Sequence, residues 1–182
     1  MKDILIKGGV GVIPTDTLYG IVGSALLPDT VGRIYKLRRR APEKPFIILI
    51  SSINDLNLFG VKLDQFTKNF LETNWPNPLS VILSVTNSKW NYLTCGTKTL
   101  AFRMPDNKEL LMLLKKTGPL VAPSANFEGE KPAETIKEAK TYFGDSVDLY
   151  VDAGKLSGLP STLVSIKNRQ IRILRQGSFT DF

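Results

Sequence analysis

The sequence predicts an α/β fold built on an open sheet, and three observations carry that expectation. Short runs rich in Val, Ile and Leu alternate along the chain with segments whose apolar residues recur at helical spacing. Three of these runs end on or beside a proline, at Pro14, Pro105 and Pro123, and bring hydroxyl, amide or guanidinium groups with them. Strand ends of an open α/β sheet are where ligands bind, so the pattern predicts a site there. The run Phe46-Ile47-Ile48-Leu49-Ile50 is apolar throughout, as a central strand covered on both faces would be.

Taken in order, Ile4, Leu5 and the Gly8-Gly9 pair predict a short helix stopped by glycine and leading into a strand from Val10 to Pro14. Thr15, Asp16, Thr17 and Tyr19 follow as a polar loop, the alternative being an ordinary turn. Ile21 to Ala25 predicts a second strand. Pro28-Asp29-Thr30 offers an N-cap to a helix carrying Val31, Ile34 and Tyr35, and Ala41 to Pro45 is a loop by its prolines. Ser51 to Phe59 reads as a capped turn, followed by a helix with a stripe of Leu63, Phe66, Phe70 and Leu71.

Trp75-Pro76-Asn77-Pro78 makes a rigid corner before a strand from Leu79 to Val85. Thr86 to Lys98 is polar and irregular, with Trp90, Tyr92 and Cys95 as packing groups. Thr99 to Pro105 predicts a strand, Asp106 caps a helix ended by Gly118, and Pro119 to Pro123 is one more short strand. A helix from Pro132 to Phe143, strands at Leu149–Val151 and Ser161–Ile166, and a hairpin turned by Asn168-Arg169 into Gln170–Arg175 complete the chain.

At 182 residues the chain is expected to be one domain, residues 1–182. No apolar run reaches the length of a membrane span and the first residues lack a signal-peptide pattern, so a cytoplasmic location away from membranes is expected. Cys95 is the single cysteine and there is no histidine. That excludes an intramolecular disulfide and the usual zinc site, and it removes the commonest general base. Chemistry by positioning and charge, as in phosphoryl or nucleotidyl transfer, remains. The formal charge is +7, and between Gly32 and Pro45 Arg33, Lys36, Arg38, Arg39, Arg40 and Lys44 face Glu43 alone. Such a cluster suits a nucleotide or a nucleic-acid backbone, the plain alternative being a solvated helix face. Neither GxxxxGK[ST] nor GxGxxG is present, so a nucleotide would be held by side chains.

Pro14-Thr15-Asp16-Thr17-Leu18-Tyr19-Gly20, Lys36-Leu37-Arg38, Lys44-Pro45, Trp75-Pro76-Asn77-Pro78-Leu79-Ser80, Arg103-Met104-Pro105, Pro123-Ser124-Ala125-Asn126, Ser161-Thr162 and Arg175-Gln176-Gly177 stand in the order of the motifs of YrdC-type threonylcarbamoyl-adenylate synthases. The chain resembles that family over nearly its whole length. The resemblance implies a twisted open mixed sheet flanked by helices (YrdC-like, related to DHBP synthase), with the site in a concave basic surface. It implies a nucleotidyltransferase that makes threonylcarbamoyl-AMP and pyrophosphate from L-threonine, bicarbonate and ATP, with Mg2+ carried by the nucleotide. A downstream tRNA threonylcarbamoyl transferase then modifies adenosine 37 of tRNA, and direct tRNA contact is open.

By the same resemblance, Thr17, Arg103, Ser161 and the backbone near Ala122 would hold threonine. Lys36, Arg38, Lys44, Thr99, Ser124, Asn126 and Arg175 would hold ATP, with Lys36 and Arg38 acting on the reacting phosphate. The alternative for Ser124 and Asn126 is a loop that hydrogen-bonds to itself, and Arg39 and Arg40 are expected on a solvated face. Asn77 stands where many members have Gly, Ser80 where they have Thr, and Leu49 at the place of a frequent histidine. Longer members carry an additional C-terminal domain, and this chain matches the short form. Two other readings remain at this point: an RNA-binding module using the same basic surface without catalysis, and an enzyme working on other carbamoyl groups.

Overall fold

In the computed structural model, residues 1–41 and 44–181 are described; Pro42 and Glu43, for which the sequence predicts a loop, and Phe182 lie outside them. Among the described residues one mixed sheet forms from β1 (Gly11–Pro14), β2 (Tyr19–Ser24), β3 (Ile47–Leu49), β4 (Leu79–Ser84), β5 (Thr99–Arg103), β6 (Leu120–Val121), β7 (Leu149–Tyr150), β8 (Thr162–Lys167) and β9 (Gln170–Arg175). Their spatial order is β7-β1-β2-β6-β3-β5-β4-β8-β9. β3 therefore lies at the centre, as its apolar run predicts, antiparallel to β6 and parallel to β5. The helices are α1 (Lys2–Ile6), α2 (Pro28–Leu37), α3 (Gln65–Asn74), α4 (Asn91–Thr94), α5 (Lys108–Thr117) and α6 (Ile136–Phe143). None of those described is long and apolar enough to cross a membrane.

Strand register explains where the site lies. Alternation puts Ile48, Leu100, Phe102, Val81, Leu83 and Val164 on one face, where they join the main core. On the opposite face Leu49 packs with Leu5, Ile13, Val22, Leu110, Leu113 and Leu114 in a smaller cluster beneath α1 and α5. Thr99, Ala101, Ile82 and Leu163 have the same parity as Leu49 but line a cavity instead. The small residues Thr99 and Ala101, alternating with Leu100 and Phe102, leave that floor open.

Several local expectations are corrected by the geometry. α2 is not capped by Asp29 or Thr30: Leu27 is the N-cap and Pro28 opens the helix, where its missing N–H is no loss. The Thr30 hydroxyl donates instead to the Gly8 carbonyl, 2.9 Å away, tying α2 to the end of α1. α5 is capped by Asn107 rather than Asp106, its Oδ1 accepting from the Leu110 N–H at 2.9 Å. The buried face of α3 is Thr67, Phe70, Leu71 and Asn74, because the helix begins only after Asp64 accepts from Thr67 and so leaves Leu63 outside it. The β8–β9 turn follows expectation, with Asn168 and Arg169 both at positive φ as a type I′ hairpin requires.

Candidate active site

The β1–β2 hairpin is locked by one hydroxyl. Thr15 Oγ1 donates to the Leu18 carbonyl at 2.7 Å and accepts from the N–H groups of Thr17 and Leu18 at 3.2 and 3.3 Å. The backbone is thereby satisfied within the turn, and Asp16 and Thr17 are held side by side. Both meet the guanidinium of Arg103 at the end of β5. Its Nη1 lies 3.3 Å from Thr17 Oγ1, to which it donates, and its Nη2 lies 3.2 Å from Asp16 Oδ1. The Arg103 and Asp16 side chains are only 5% and 3% exposed. The ion pair is close but not aligned as a hydrogen bond, and among the described residues both Asp16 oxygens and Arg103 Nε lack a hydrogen-bond partner. Burial lowers the Arg103 pKa, Asp16 opposes that shift, and the cation of Arg175 adds to it. The buried Arg103 and the exposed Arg175 together set two cations against the one carboxylate of Asp16, leaving positive charge that an anion would neutralise.

A second cluster forms where α2 ends. Arg38 caps the helix and is 3% exposed. Its Nε donates to the Asn126 carbonyl at 3.0 Å and its Nη2 to Asn126 Oδ1 at 3.2 Å, with Ser124 Oγ at 3.5 Å. Burial, then the neighbouring Arg40 cation, pushes its pKa down to about 10, against Glu128; it stays charged at neutral pH. Asn126 spends its amide within the protein, since Nδ2 donates to the carbonyls of Phe127 and Glu130 at 2.6 and 2.9 Å. It supports Arg38 through its side-chain and backbone oxygens.

The third group gathers where β8 begins and β9 ends, beside β4. Arg175 Nη2 donates to the Ser161 carbonyl at 2.8 Å and reaches Ser161 Oγ at 3.3 Å, while Ser161 Oγ lies 2.9 Å from Ser80 Oγ. The close approach needs Gly177, where an added Cβ would fall on the carbonyl oxygen of Pro160. Thr99 Oγ1 donates to Thr97 Oγ1 at 3.1 Å.

These groups converge on one cavity of about 740 Å³, within the usual size of a small-molecule site. Thr17, Arg38, Thr99, Arg103, Ala122, Ser124, Ser161 and Arg175 line it, with Thr15, Tyr19, Arg40, Lys131 and Glu134. The Ala122 N–H is already used, donating to the Ile47 carbonyl at 3.0 Å. Three expected residues are not in the lining. Lys36 is exposed on the last turn of α2, because residues two apart lie on opposite sides of a helix and Arg38 takes the inner side. Lys44 is held outside by Glu128, 2.8 Å away, whose carboxyl is kept below the usual range by Lys44, the Ala41 N–H and Arg40. Asn126 lies behind Arg38.

Arg40 corrects the expectation of a solvated face. Arg39 adopts a positive φ and ends the helical course, its guanidinium 3.9 Å from the Phe127 ring centroid. Arg40 then turns into the cavity wall, donating to the carbonyls of Lys44 and Pro45 at 3.1 and 3.3 Å. Sequence reasoning also missed Tyr19 as an anchor: its buried hydroxyl donates to the Gly154 carbonyl at 2.7 Å and accepts from the Ala153 N–H at 2.9 Å. Glu134, paired with Lys131 and Lys155 at 2.7 and 3.3 Å, was missed as well. No local pattern marks the Tyr19 contacts with Ala153 and Gly154, more than 130 residues away, or the Glu134 pair with Lys155; only Lys131 lies at local spacing from Glu134. The one available signal was the tyrosine inside an otherwise polar loop.

A Bacillus subtilis protein named threonylcarbamoyl-AMP synthase is 32% identical over 181 residues, covering 97% of this chain and 52% of that protein. One of the same name from Idiomarina loihiensis is 28% identical over 170 residues, covering 91% of each. The structure of Pyrococcus abyssi Sua5 complexed with L-threonine superposes with a TM-score of 0.89 at 27% identity, covering 97% of this chain and 52% of that one. The chain thus spans about half the length of the Bacillus and Pyrococcus relatives and nearly all of the Idiomarina one. With the Sua5_yciO_yrdC family, described as "Telomere recombination", matching residues 3–177, the chain belongs to the Sua5/YciO/YrdC family.

Proposed function

We propose that this chain is a threonylcarbamoyl-AMP synthase, a nucleotidyltransferase of the cytoplasm that joins L-threonine, bicarbonate and ATP. The threonine amine and bicarbonate condense to a carbamate with loss of water. A carbamate oxygen then attacks the α-phosphorus and pyrophosphate leaves. The observation that carries this reading is the pairing, in one cavity, of a buried Arg103–Thr17 fork with the separate Arg38–Ser124 cluster. Arg103 is held at Nη1 by Thr17 and beside Asp16 at Nη2, while its Nε lacks a hydrogen-bond partner among the described residues, and a buried guanidinium with a donor left over suits a carboxylate. The second cluster suits phosphate oxygens and the charge that develops at the α-phosphorus. The names of the relatives and the threonine-bound Pyrococcus structure support the same assignment; they do not favour an RNA-binding module.

In this reading Thr17, Arg103 and Ser161 hold threonine beside Ala122, and Arg38, Arg40, Thr99, Ser124 and Arg175 hold ATP. Lys36, Lys44 and Asn126 remain proposed ATP groups outside the present lining, Asn126 as the support of Arg38. The product passes to a tRNA threonylcarbamoyl transferase for modification of adenosine 37. Pyrophosphate release from ATP, followed while threonine and bicarbonate are omitted in turn, is expected to require both; release that ignores either one would sink the reading. Serine, lacking one methyl, is expected to work about 10–200-fold less well than threonine, and valine, lacking the hydroxyl, less well still. Valine equal to serine would mean that the pocket reads shape alone.

Mg2+ is expected to enter with the nucleotide. Among the described residues no three His, Cys, Asp or Glu side chains gather into a possible metal site, whereas nucleotide phosphates supply oxygen ligands themselves. Thermal melting should therefore rise with MgATP, by about 3 kcal/mol of stabilisation at a hundredfold excess over Kd, and barely respond to MgCl2 alone. A large shift with MgCl2 alone would contradict it.

A further inference from the structure

Ser80 sits on β4 with no exposed surface, and among the described residues its hydroxyl has one hydrogen-bond partner, Ser161 Oγ at 2.9 Å. Ser161 is 1% exposed, lines the cavity and is also reached by Arg175 Nη2 at 3.3 Å. A guanidinium only donates, so Ser161 Oγ accepts from Arg175. Two arrangements remain for the serine pair. If Ser161 donated to Ser80, the Ser80 proton would be buried with no acceptor. If Ser80 donates to Ser161, the Ser80 proton has its acceptor and both hydroxyls of the pair are satisfied. The first arrangement leaves an unpaired buried donor and the second does not, so the second prevails. Ser161 Oγ then accepts twice, and its own proton is left for the cavity.

We infer that Ser80 is a positioning residue that sets the polarity of Ser161, so that the pocket presents a hydrogen-bond donor, and not an acceptor, to the substrate there. The group it recognises is an acceptor oxygen of the amino acid, either its hydroxyl oxygen or its carboxylate. This rests on the proposed threonine site. It adds a residue that does not itself line the cavity and fixes the sense of the hydrogen bond. Ser80 and Ser161 are brought together by the parallel β4–β8 pairing and by the Thr162 N–H donating to the Pro78 carbonyl at 2.9 Å. An alteration at Ser80 therefore reaches substrate through one oxygen.

The test compares Ser80→Ala, Ser80→Cys and Ser80→Thr in pyrophosphate release, with the MgATP-induced melting shift as the readout of an intact nucleotide site. Ala removes the donor, Cys keeps the volume with a weak donor, and Thr keeps the hydroxyl. Ala and Cys are expected to raise the KM for threonine about tenfold, with kcat within about twofold and the MgATP shift retained; that change corresponds to about 1.4 kcal/mol. Thr is expected to stay within about threefold of the parent. An unchanged KM in Ala or Cys overturns the inference, as does an equal loss in all three variants, which would mark a packing role. An active parent matched by its variants sinks only this inference, whereas a parent inactive with threonine removes the substrate assignment and this inference with it.

Discussion

Arg103→Ala is expected to lower kcat/KM for threonine by roughly 100–1,000-fold, the loss of a desolvated charge pair with the substrate carboxylate. The same substitution strands Asp16, whose side chain is 3% exposed and whose oxygens have no hydrogen-bond partner among the described residues. Removing one member of a buried ion pair destabilises by about 3–5 kcal/mol, so the single variant will fold poorly for reasons unrelated to substrate. The double variant Asp16→Asn/Arg103→Gln separates the two effects, because it removes both charges together. It should recover most of the melting temperature and the MgATP-induced shift while threonine turnover stays down. Recovery of turnover in the double variant would show that Arg103 serves the fold rather than the carboxylate.

How much of this was legible in the sequence depends on the range of the interaction. The strands and most helices follow from local patterns: Pro14 ends β1, the apolar run at Phe46–Ile50 contains central β3, and Asn168-Arg169 turns the last hairpin. Resemblance supplied the site motifs, but not what their side chains do in the fold. Asp16 pairs with a residue 87 positions away and Arg38 with one 88 away; neither distance leaves a local trace. The KxR element illustrates the limit: its spacing is plain, yet helical geometry sends Lys36 outward and Arg38 inward. Ser80 reads as a small polar interruption in a strand, and only the β4–β8 register reveals the hydroxyl it faces.

Arg38 and Arg40 differ in what else they hold, so their alanine variants should fail differently. Arg38 carries both backbone and side-chain oxygens of Asn126 on its guanidinium and is 3% exposed. Arg38→Ala leaves those oxygens without their donor, at about 1–3 kcal/mol, and withdraws a desolvated cation from the phosphates. A lower melting temperature together with a loss of roughly 100–1,000-fold in kcat/KM for ATP is expected. Arg38→Lys keeps the charge but not the fork, and should restore only part of that loss. The Arg40 side chain is 21% exposed and its partners are two loop carbonyls and Glu128. Arg40→Ala should leave melting nearly unchanged and weaken ATP by about tenfold at low salt, the lower end for a hydrogen bond to a charged group. Salt screens a partly solvated cation more than a buried one, so the Arg40 effect should shrink as KCl rises from about 0.05 to 0.5 M while the Arg38 effect persists. Measuring KM for ATP in both variants across that range decides the matter: the same loss with the same salt dependence in each would mean that neither acts through its distinct setting.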